Sequence, residues 1–396
     1  MREGWKRVKL GEIITLRRGL TYKKDDEVGF SEKIVLRSNN VNLLTHLFDY
    51  DELKYLRSDF DIPADKYIKQ GELLMCMSNG SKAHLGKVAL YDGEDDIYAF
   101  GGFMSAISHN DLIASKFLYY ALITSRFKDY INTLSAGANI NNLKTKDIDA
   151  YSIELPSLEE QHRIVELLDA EFAKIDAIKA NAEKQLQWAK DLFQSALKDL
   201  LTSKEGWVHE KLNKISNYYN GLTYKPADVS QSGYLVLRSS NIQENRLSLE
   251  DQVRVNLDIN ERLKVHKGDI IMCSRNGSKA LIGKVAIIPE EYKDFTFGAF
   301  MMIIKSKFNS FLYYYFLSDN FKKQIWKGEA TMINQITRYM LDDVIVDFPD
   351  SIEEQQIIVQ KLDTLSEKVK QLQSNYEKTI ALCNDLKQSL LKDIFG

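Results

Sequence analysis

The chain has 396 residues, 44% of them hydrophobic and 28% charged, with a formal net charge of −3, which suits a globular protein of two or more domains. No apolar run approaches the roughly 20 residues needed to span a bilayer. The opening MREGWKRVKL lacks the apolar core of a secretory signal, so a cytoplasmic location is expected. Cys76, Cys273 and Cys383 suit reduced, mostly buried thiols rather than a disulfide framework. The scattered histidines show no metal-ligand spacing. With so weak a net charge, any binding to nucleic acid must come from local basic clusters.

Read from the N-terminus, the chain is written twice. GWKRVKLGEIITLRRGLTYKK from Gly4 returns as GWVHEKLNKISNYYNGLTYKP from Gly206, an offset of 202. VLRSNNV at Val35 returns as VLRSSNI at Val236, and ELLMCMSNGSKAHLGKVAL from Glu72 as DIIMCSRNGSKALIGKVAI from Asp269. FGGFM at Phe100 becomes FGAFM at Phe297, and FLYY at Phe117 recurs at Phe311, where the offset has fallen to 194. Such self-similarity marks a duplication in which the second copy has lost a few loop residues.

Within each copy, short β-rich runs (KIVLRS, ELLMCMS, KVALY, AFGGFMSAIS) alternate with turn residues. A helical stretch, SKFLYYALITSRFKDYINTL, follows, with Phe117, Tyr120, Thr124, Phe127, Ile131 and Leu134 at three- and four-residue spacing. Each copy closes on a strand ending in proline, YSIELP at Pro156 and VIVDFP at Pro349.

Beyond those prolines the pattern becomes helical. Ser157 with Glu160 and Ser351 with Glu354 form capping-box signatures. A heptad follows in the second copy through Ile358, Leu362, Leu365, Val369, Leu372, Tyr376, Thr379, Cys383, Leu386 and Leu390. The first copy matches it through Ile164, Leu168, Glu171, Ile175, Ile178, Ala182, Gln185, Ala189, Leu192 and Ala196. Sustained heptads predict a coiled coil, and 45 residues of helix from Ser157 to Leu201 would run about 68 Å at 1.5 Å per residue. The domains expected are therefore 1–156 and 206–349, with helices over 157–205 and 350–396. The fold class is α+β: two duplicated mixed α/β domains, each followed by a long helix, the helices pairing as an antiparallel coiled coil.

Motifs that look chemical do not withstand inspection. Phe100-Gly-Gly-Phe103 is a poor match to an adenosylmethionine loop, becomes FGAF in the second copy, and reads as core packing. Asn-Gly-Ser-Lys lacks the upstream glycine of a phosphate loop. Glu52-Leu-Lys54 has no counterpart in the second copy and reads as a surface helix turn. No catalytic set occurs at matching places, which favours a binding protein over an enzyme.

What the copies share is donor-rich and loop-like. Arg37-Ser38-Asn39-Asn40 and Arg238-Ser239-Ser240-Asn241 end β-runs; arginine can be bidentate to guanine and asparagine to adenine. The loops Ser78-Asn79-Gly80-Ser81-Lys82 and Arg275-Asn276-Gly277-Ser278-Lys279 place an Asn-Gly turn beside a cation, suited to a groove edge or a phosphate. Tyr22-Lys23 and Tyr224-Lys225 follow a glycine-led turn and are candidates for backbone phosphate contacts. A late loop offers further amides: Asn139, Asn141 and Asn142 in copy one, Asn334 and Gln335 in copy two. Each set is equally open to a plain structural reading as turn, hairpin or internal salt bridge.

The tryptophan-led start, the GLTY turn, the LRSxNI strand end, the GDIIM…NGSK…IGKVA block and the PSLEEQ helix start, in this order and repeated, resemble the specificity (S) subunits of type I restriction–modification systems from Gly4 to Phe395. The resemblance implies two target-recognition domains, each reading half of an interrupted double-stranded DNA target. It implies that the helices space the domains and dock two methyltransferase (M) subunits, with restriction (R) subunits joining that core. Adenosylmethionine would then belong to the methyltransferases, which methylate adenine N6, and ATP and magnesium to the restriction subunits, with no cofactor or catalytic residue in this chain. A stand-alone DNA-binding or architectural protein is the alternative.

Overall fold

The computed structural model describes residues 4–135, 142–326 and 335–396. The chain forms two compact units, one of residues 1–182 with 378–396, the other of residues 183–377. Both long helices, Leu158–Leu201 and Ile352–Phe395, therefore contribute one half to each unit.

In the first unit, Lys6–Lys9 pairs antiparallel with the closing strand Ser152–Leu155. Four antiparallel strands form the main sheet in the order Ile14–Arg18, Met104–His109, Leu73–Cys76, Val88–Leu90. A second sheet runs Glu27–Val28, Lys54–Leu56, Lys33–Leu36, Tyr98–Phe100, its last pair parallel. Leu73–Cys76 is buried along its whole length, which is why it reads as a continuous apolar run rather than an alternating one.

The second unit repeats this order. Trp207–Lys211 pairs with Ile345–Pro349. The main sheet runs Asn217–Asn220, Met301–Lys305, Ile270–Cys273, Val285–Ile287, and the second Val229–Ser230, Arg254–Val255, Tyr234–Leu237, Phe295–Phe297. A small hairpin, Ile242–Gln243 with Arg246–Leu247, is added.

Two local expectations change. The helical stretch is two helices, Ser115–Leu122 and Ser125–Ser135. Thr124 breaks it by accepting a hydrogen bond from the Phe127 amide at 3.1 Å, and Ser318 does the same for Phe321 in the second unit; a hydroxyl that caps a new helix start competes with continuing the old one. Glu52-Leu-Lys54 is not a helix turn: Lys54 begins a strand and pairs with Glu27 at 2.8 Å.

The starts of the long helices are bolted to the domains. Ser157 and Ser351 accept from the amides of Glu160 and Glu354 at 3.3 and 3.2 Å. The next residue, a glutamine in both copies, is buried. Gln161 donates to the carbonyls of Leu112 and Pro156 and accepts from the Ala114 amide, while Gln355 donates to the Pro349 carbonyl at 2.7 Å. Tyr120 and Tyr314 tie the shorter helices down through Asp169 and Asp363; burial and that carboxylate push both phenols well above their usual range.

Within each unit the helix halves are antiparallel. In the first, Asp176 pairs with Lys387 and Lys179 with Asn384, while Leu391 and Phe395 enter the same core as Ile164 and Leu168. In the second, Leu197 and Leu201 share a core with Ile358 and Leu362.

The seam is narrower than the heptad suggests. Ile164, Leu168, Ile175, Ala182, Ala189, Leu197 and Leu201 are buried, with steps of four, seven and eight residues. Ile358, Leu362, Val369, Cys383, Leu391 and Phe395 are buried at steps of four, seven, fourteen, eight and four residues. Ile178, Leu192, Leu372 and Leu386, expected in the seam, are instead 54%, 52%, 40% and 50% exposed. A straight helix drifts about 20° per heptad from a strict 3.5-residue repeat, so one seam position stays inward and its companion turns out.

Leu168→Ala and Leu391→Ala should each destabilise the protein by about 2–5 kcal/mol. Ile178→Ala should change stability by less than about 0.5 kcal/mol. Chemical denaturation of the three variants checks the assignment.

Candidate nucleic-acid interface

The shared loops meet at one place in each unit. In the first unit the GLTY turn, the Arg37 turn, the loop after Cys76 and the Phe100–Met104 connection surround an open cleft of about 900 Å³. In the second, Leu222–Tyr224, Arg238–Ser240 and Gly298–Met301 line a cleft of about 610 Å³.

A glycine makes each cleft possible. The Leu20 amide donates to the Phe100 carbonyl and the Leu222 amide to that of Phe297, both at 2.7 Å. A Cβ on Gly19 would lie 2.2 Å from the Gly101 oxygen, and one on Gly221 2.3 Å from that of Gly298, inside van der Waals contact. On the far side, Gly101 and Gly298 donate to the carbonyls of Leu36 and Leu237 at 2.9 Å. Three backbone segments are thereby laid side by side, with Tyr22 or Tyr224 at one edge and the arginine turn at the other.

Several sequence candidates hold the cleft together instead of facing out of it. Asn40 and Asn241 are 1% and 0% exposed. Each amide oxygen accepts from its own arginine's backbone N–H, at 2.9 and 2.8 Å. Each amide nitrogen donates to two carbonyls, those of Asp49 and Glu52 or of Ser248 and Asp251. Neither has a free group to offer adenine, and the expectation that they read bases is corrected. Asn79 and Asn276 join two loops: they donate to the hydroxyls of Ser38 and Ser239 at 2.7 and 3.0 Å and accept from the amides of Ser81 and Ser278 at 2.9 Å.

The Asn-Gly pair is not a two-residue hairpin turn. Ten residues or more separate the paired strands, a short 3₁₀ turn occupies Lys82–His84 or Lys279–Leu281, and neither Asn79 nor Gly80 is left-handed. The asparagine side chain, not backbone twist, shapes the loop. Gly80, Ser81 and Lys82, with Gly277, Ser278 and Lys279, are exposed. Lys23 and Lys225 are exposed beside the clefts, and their backbone amides donate to Asp26 and Asp228 at 2.8 and 2.7 Å. Tyr22 and Tyr224 are half-buried, and burial followed by the Glu27 charge raises the Tyr22 phenol's pKa.

Asn142 and Gln335 are exposed and bridge backbone to backbone with Ser78 and Arg275, so the late loop returns beside the cleft. Asn139, Asn141 and Asn334 lie outside the described residues.

Sequence reading missed Phe103 and Phe300. Phe100 and Phe297 are buried core, as read, but Phe103 and Phe300 are 68% and 57% exposed and line the clefts. The Arg275 guanidinium carbon lies 5.3 Å from the Phe300 ring centre. The available signal was the persistence of a second phenylalanine after two small residues in both copies. His84, in the first cleft, was also missed; burial lowers its pKa, and its Nδ1 is sealed from water without a partner. Cys76 and Cys273 are buried behind the loops, which raises their thiol pKa values.

Among the described residues, no group of three or more His, Cys, Asp and Glu is placed to hold a metal ion, and no helix is long and apolar enough to cross a membrane. The first cleft offers guanidinium, hydroxyl, amide and aromatic side chains, and the second guanidinium, hydroxyl and aromatic side chains together with the Asp251 carboxylate; donors of these kinds are used at base edges and phosphates.

The family described as "Type I restriction modification DNA specificity domain" matches residues 2–187 and 204–381. The type I restriction enzyme EcoKI specificity subunit of Escherichia coli is 27% identical over 99% of this chain and 89% of that protein. A chain solved in work on complex assembly and conformational transition of the type I restriction–modification system superposes with a TM-score of 0.77 at 18% identity, over 99% of this chain and 97% of the other. The HsdS subunit from Thermoanaerobacter tengcongensis gives 0.53 at 18% identity, over 100% and 97%.

Gly19→Ala should destabilise the protein by about 1–3 kcal/mol, as overpacking does. Gly80→Ala, where an added Cβ meets nothing within 4 Å, should cost less than about 0.5 kcal/mol. Urea unfolding of both variants measures the difference.

Proposed function

The chain belongs to the type I restriction–modification DNA specificity family, as a specificity subunit, and from that premise we propose that it is a non-catalytic reader of a two-part DNA target. Residues 1–156 and 206–349 each read one half of the site, and the long helices separate the two readers. The observation that carries this reading is the repeated cleft, in both units lined by the GLTY turn, the arginine turn and the FG(G/A)FM connection, with side chains of the kinds that can donate to base edges and phosphates. Two readers on one chain leave the base pairs between half-sites unread, which suits an interrupted target.

The helices would also dock two methyltransferase subunits. The outward apolar positions support this: Ile178 and Leu386 in the first unit correspond to Leu372 and Leu192 in the second, so each unit offers the same pair to a partner. The partners would supply adenosylmethionine and the adenine-N6 chemistry, extracting the target base from the duplex, and restriction subunits with ATP and magnesium would join that core. The assembly would act on DNA in the cytoplasm.

Replacing residues 206–349 with the corresponding domain of another specificity subunit, followed by methylation-sensitive sequencing of host DNA, should change one half of the methylated motif and leave the other. A change in both halves, or in neither, contradicts the two-reader proposal. Ile178→Asp combined with Leu372→Asp should leave a folded chain that no longer co-purifies with its methyltransferase partners. Retention of those partners would move the docking surface elsewhere.

A further inference from the structure

The two clefts carry the same arginine in the same turn, in different company. Arg238 is committed: its guanidinium donates to Asp251 at 2.5 Å, and the Ser240 hydroxyl donates to the same carboxylate oxygen at 2.5 Å. The residue that matches Asp251 in the first unit is Glu52, since the buried turn asparagine donates to the backbone carbonyl of each. Glu52 is exposed and makes no ion pair with Arg37, and Asn39 replaces Ser240.

Arg37 crosses over Gly101, its Cγ 3.7 Å from where a Cβ would stand there, and lines the first cleft. Among the described residues its guanidinium meets no carboxylate and donates no hydrogen bond. Only its Nε is sealed from water, so its two terminal nitrogens remain open to the cleft.

The reverse holds one loop away. Arg275 is exposed, carries no carboxylate partner among the described residues and lies over Phe300; a planar guanidinium resting on a ring is pre-oriented while keeping its donors free. Its counterpart is Ser78, because the amides of Ser78 and Arg275 both donate at 3.1 Å to the carbonyl of the exposed phenylalanine. The first cleft is thus lined by Arg37 without a carboxylate partner, beside Arg18, whose Nε donates to the Gly102 carbonyl at 3.3 Å, while at the second Arg275 stands against the lining Phe300; Arg37 and Arg275 come from two different loops.

We propose that the two domains read with different arginines: Arg37 donates its two terminal nitrogens to the major-groove face of a guanine in the first half-site, and Arg275 does so in the second. Arg238 is a positioning residue that braces the second cleft through Asp251. A guanine O6/N7 edge is the base feature that accepts two donors from one fork, and the different origins of the forks give the half-sites different geometry despite the duplication. The inference rests on the reading of both clefts as faces that meet DNA.

The test is selection by the assembled complex of this chain with its methyltransferases from a duplex library randomised across both half-sites. Arg37→Ala should abolish a guanine preference at one position of one half-site, a loss of roughly 5- to 150-fold in discrimination, and leave the other half intact. Arg275→Ala should do the same in the other half. Arg37→Lys, which keeps the charge and loses the fork, should keep overall affinity and weaken the guanine preference by less than Arg37→Ala, and guards against a folding defect. Arg238→Ala should weaken all sequences by a common factor without altering any base preference. The inference is overturned if Arg37 and Arg275 variants keep every base preference, if they weaken all sequences equally, or if Arg238→Ala erases a preference. Failure of the unsubstituted complex to select a two-part motif would instead contradict the two-reader function itself.

Discussion

The backbone contact between the GLTY turn and the FG(G/A)F connection is the constraint on which each domain's working face depends. It needs a residue without a side chain at Gly19 and Gly221, because the facing carbonyl oxygen lies where a Cβ would go. That approach sets two strand ends and the arginine turn side by side, and the buried Asn40 or Asn241 then locks the turn by using both amide hydrogens and an oxygen lone pair internally. Buried polar groups must be satisfied, so the asparagine stiffens the turn and cannot also read a base. The neighbouring side chains, held on that frame, are the ones proposed to do so.

The helices obey a second constraint. A 44-residue helix has more apolar stripe than one small domain can cover. Each unit covers half of each helix, and the junction is fixed by a buried glutamine whose amide spans the end of the closing strand and the helix start. Between the ends only one position per heptad remains in the seam. What turns outward is an apolar surface, and in a soluble assembly such a surface is usually completed by a partner.

The architecture was legible because it rests on local periodicity and on repetition. The strands, the prolines that end them, the serine caps and the long helices all follow from short windows of sequence. The loops that build the cleft were also legible as a set, since they were the polar segments both copies retained. Their division of labour was not. Asn40 and Asn39 are neighbours of the same type, yet one is buried in the turn and the other is not. Phe100 and Phe103 face opposite environments. Whether Arg37 or Arg238 is engaged depends on a carboxylate 13 to 15 residues away in a loop of different length. Each of these is decided by which segments approach in space, and no spacing rule in one sequence encodes it. The outward turn of Ile178 and Leu372 was missed for a related reason: a heptad pattern shows that a helix has an apolar stripe, and leaves open how many partners share it.

The central claim is that the equivalent clefts of the two domains are the surfaces that meet DNA. Amide hydrogen exchange on the assembled complex, with and without a duplex carrying its methylated motif, tests this most directly. The account predicts slowed exchange in residues 19–23, 37–40, 78–82 and 101–103 together with residues 221–225, 238–241, 275–279 and 298–300, and little change on the strands behind them. Protection confined to one domain, or to the long helices alone, would contradict it.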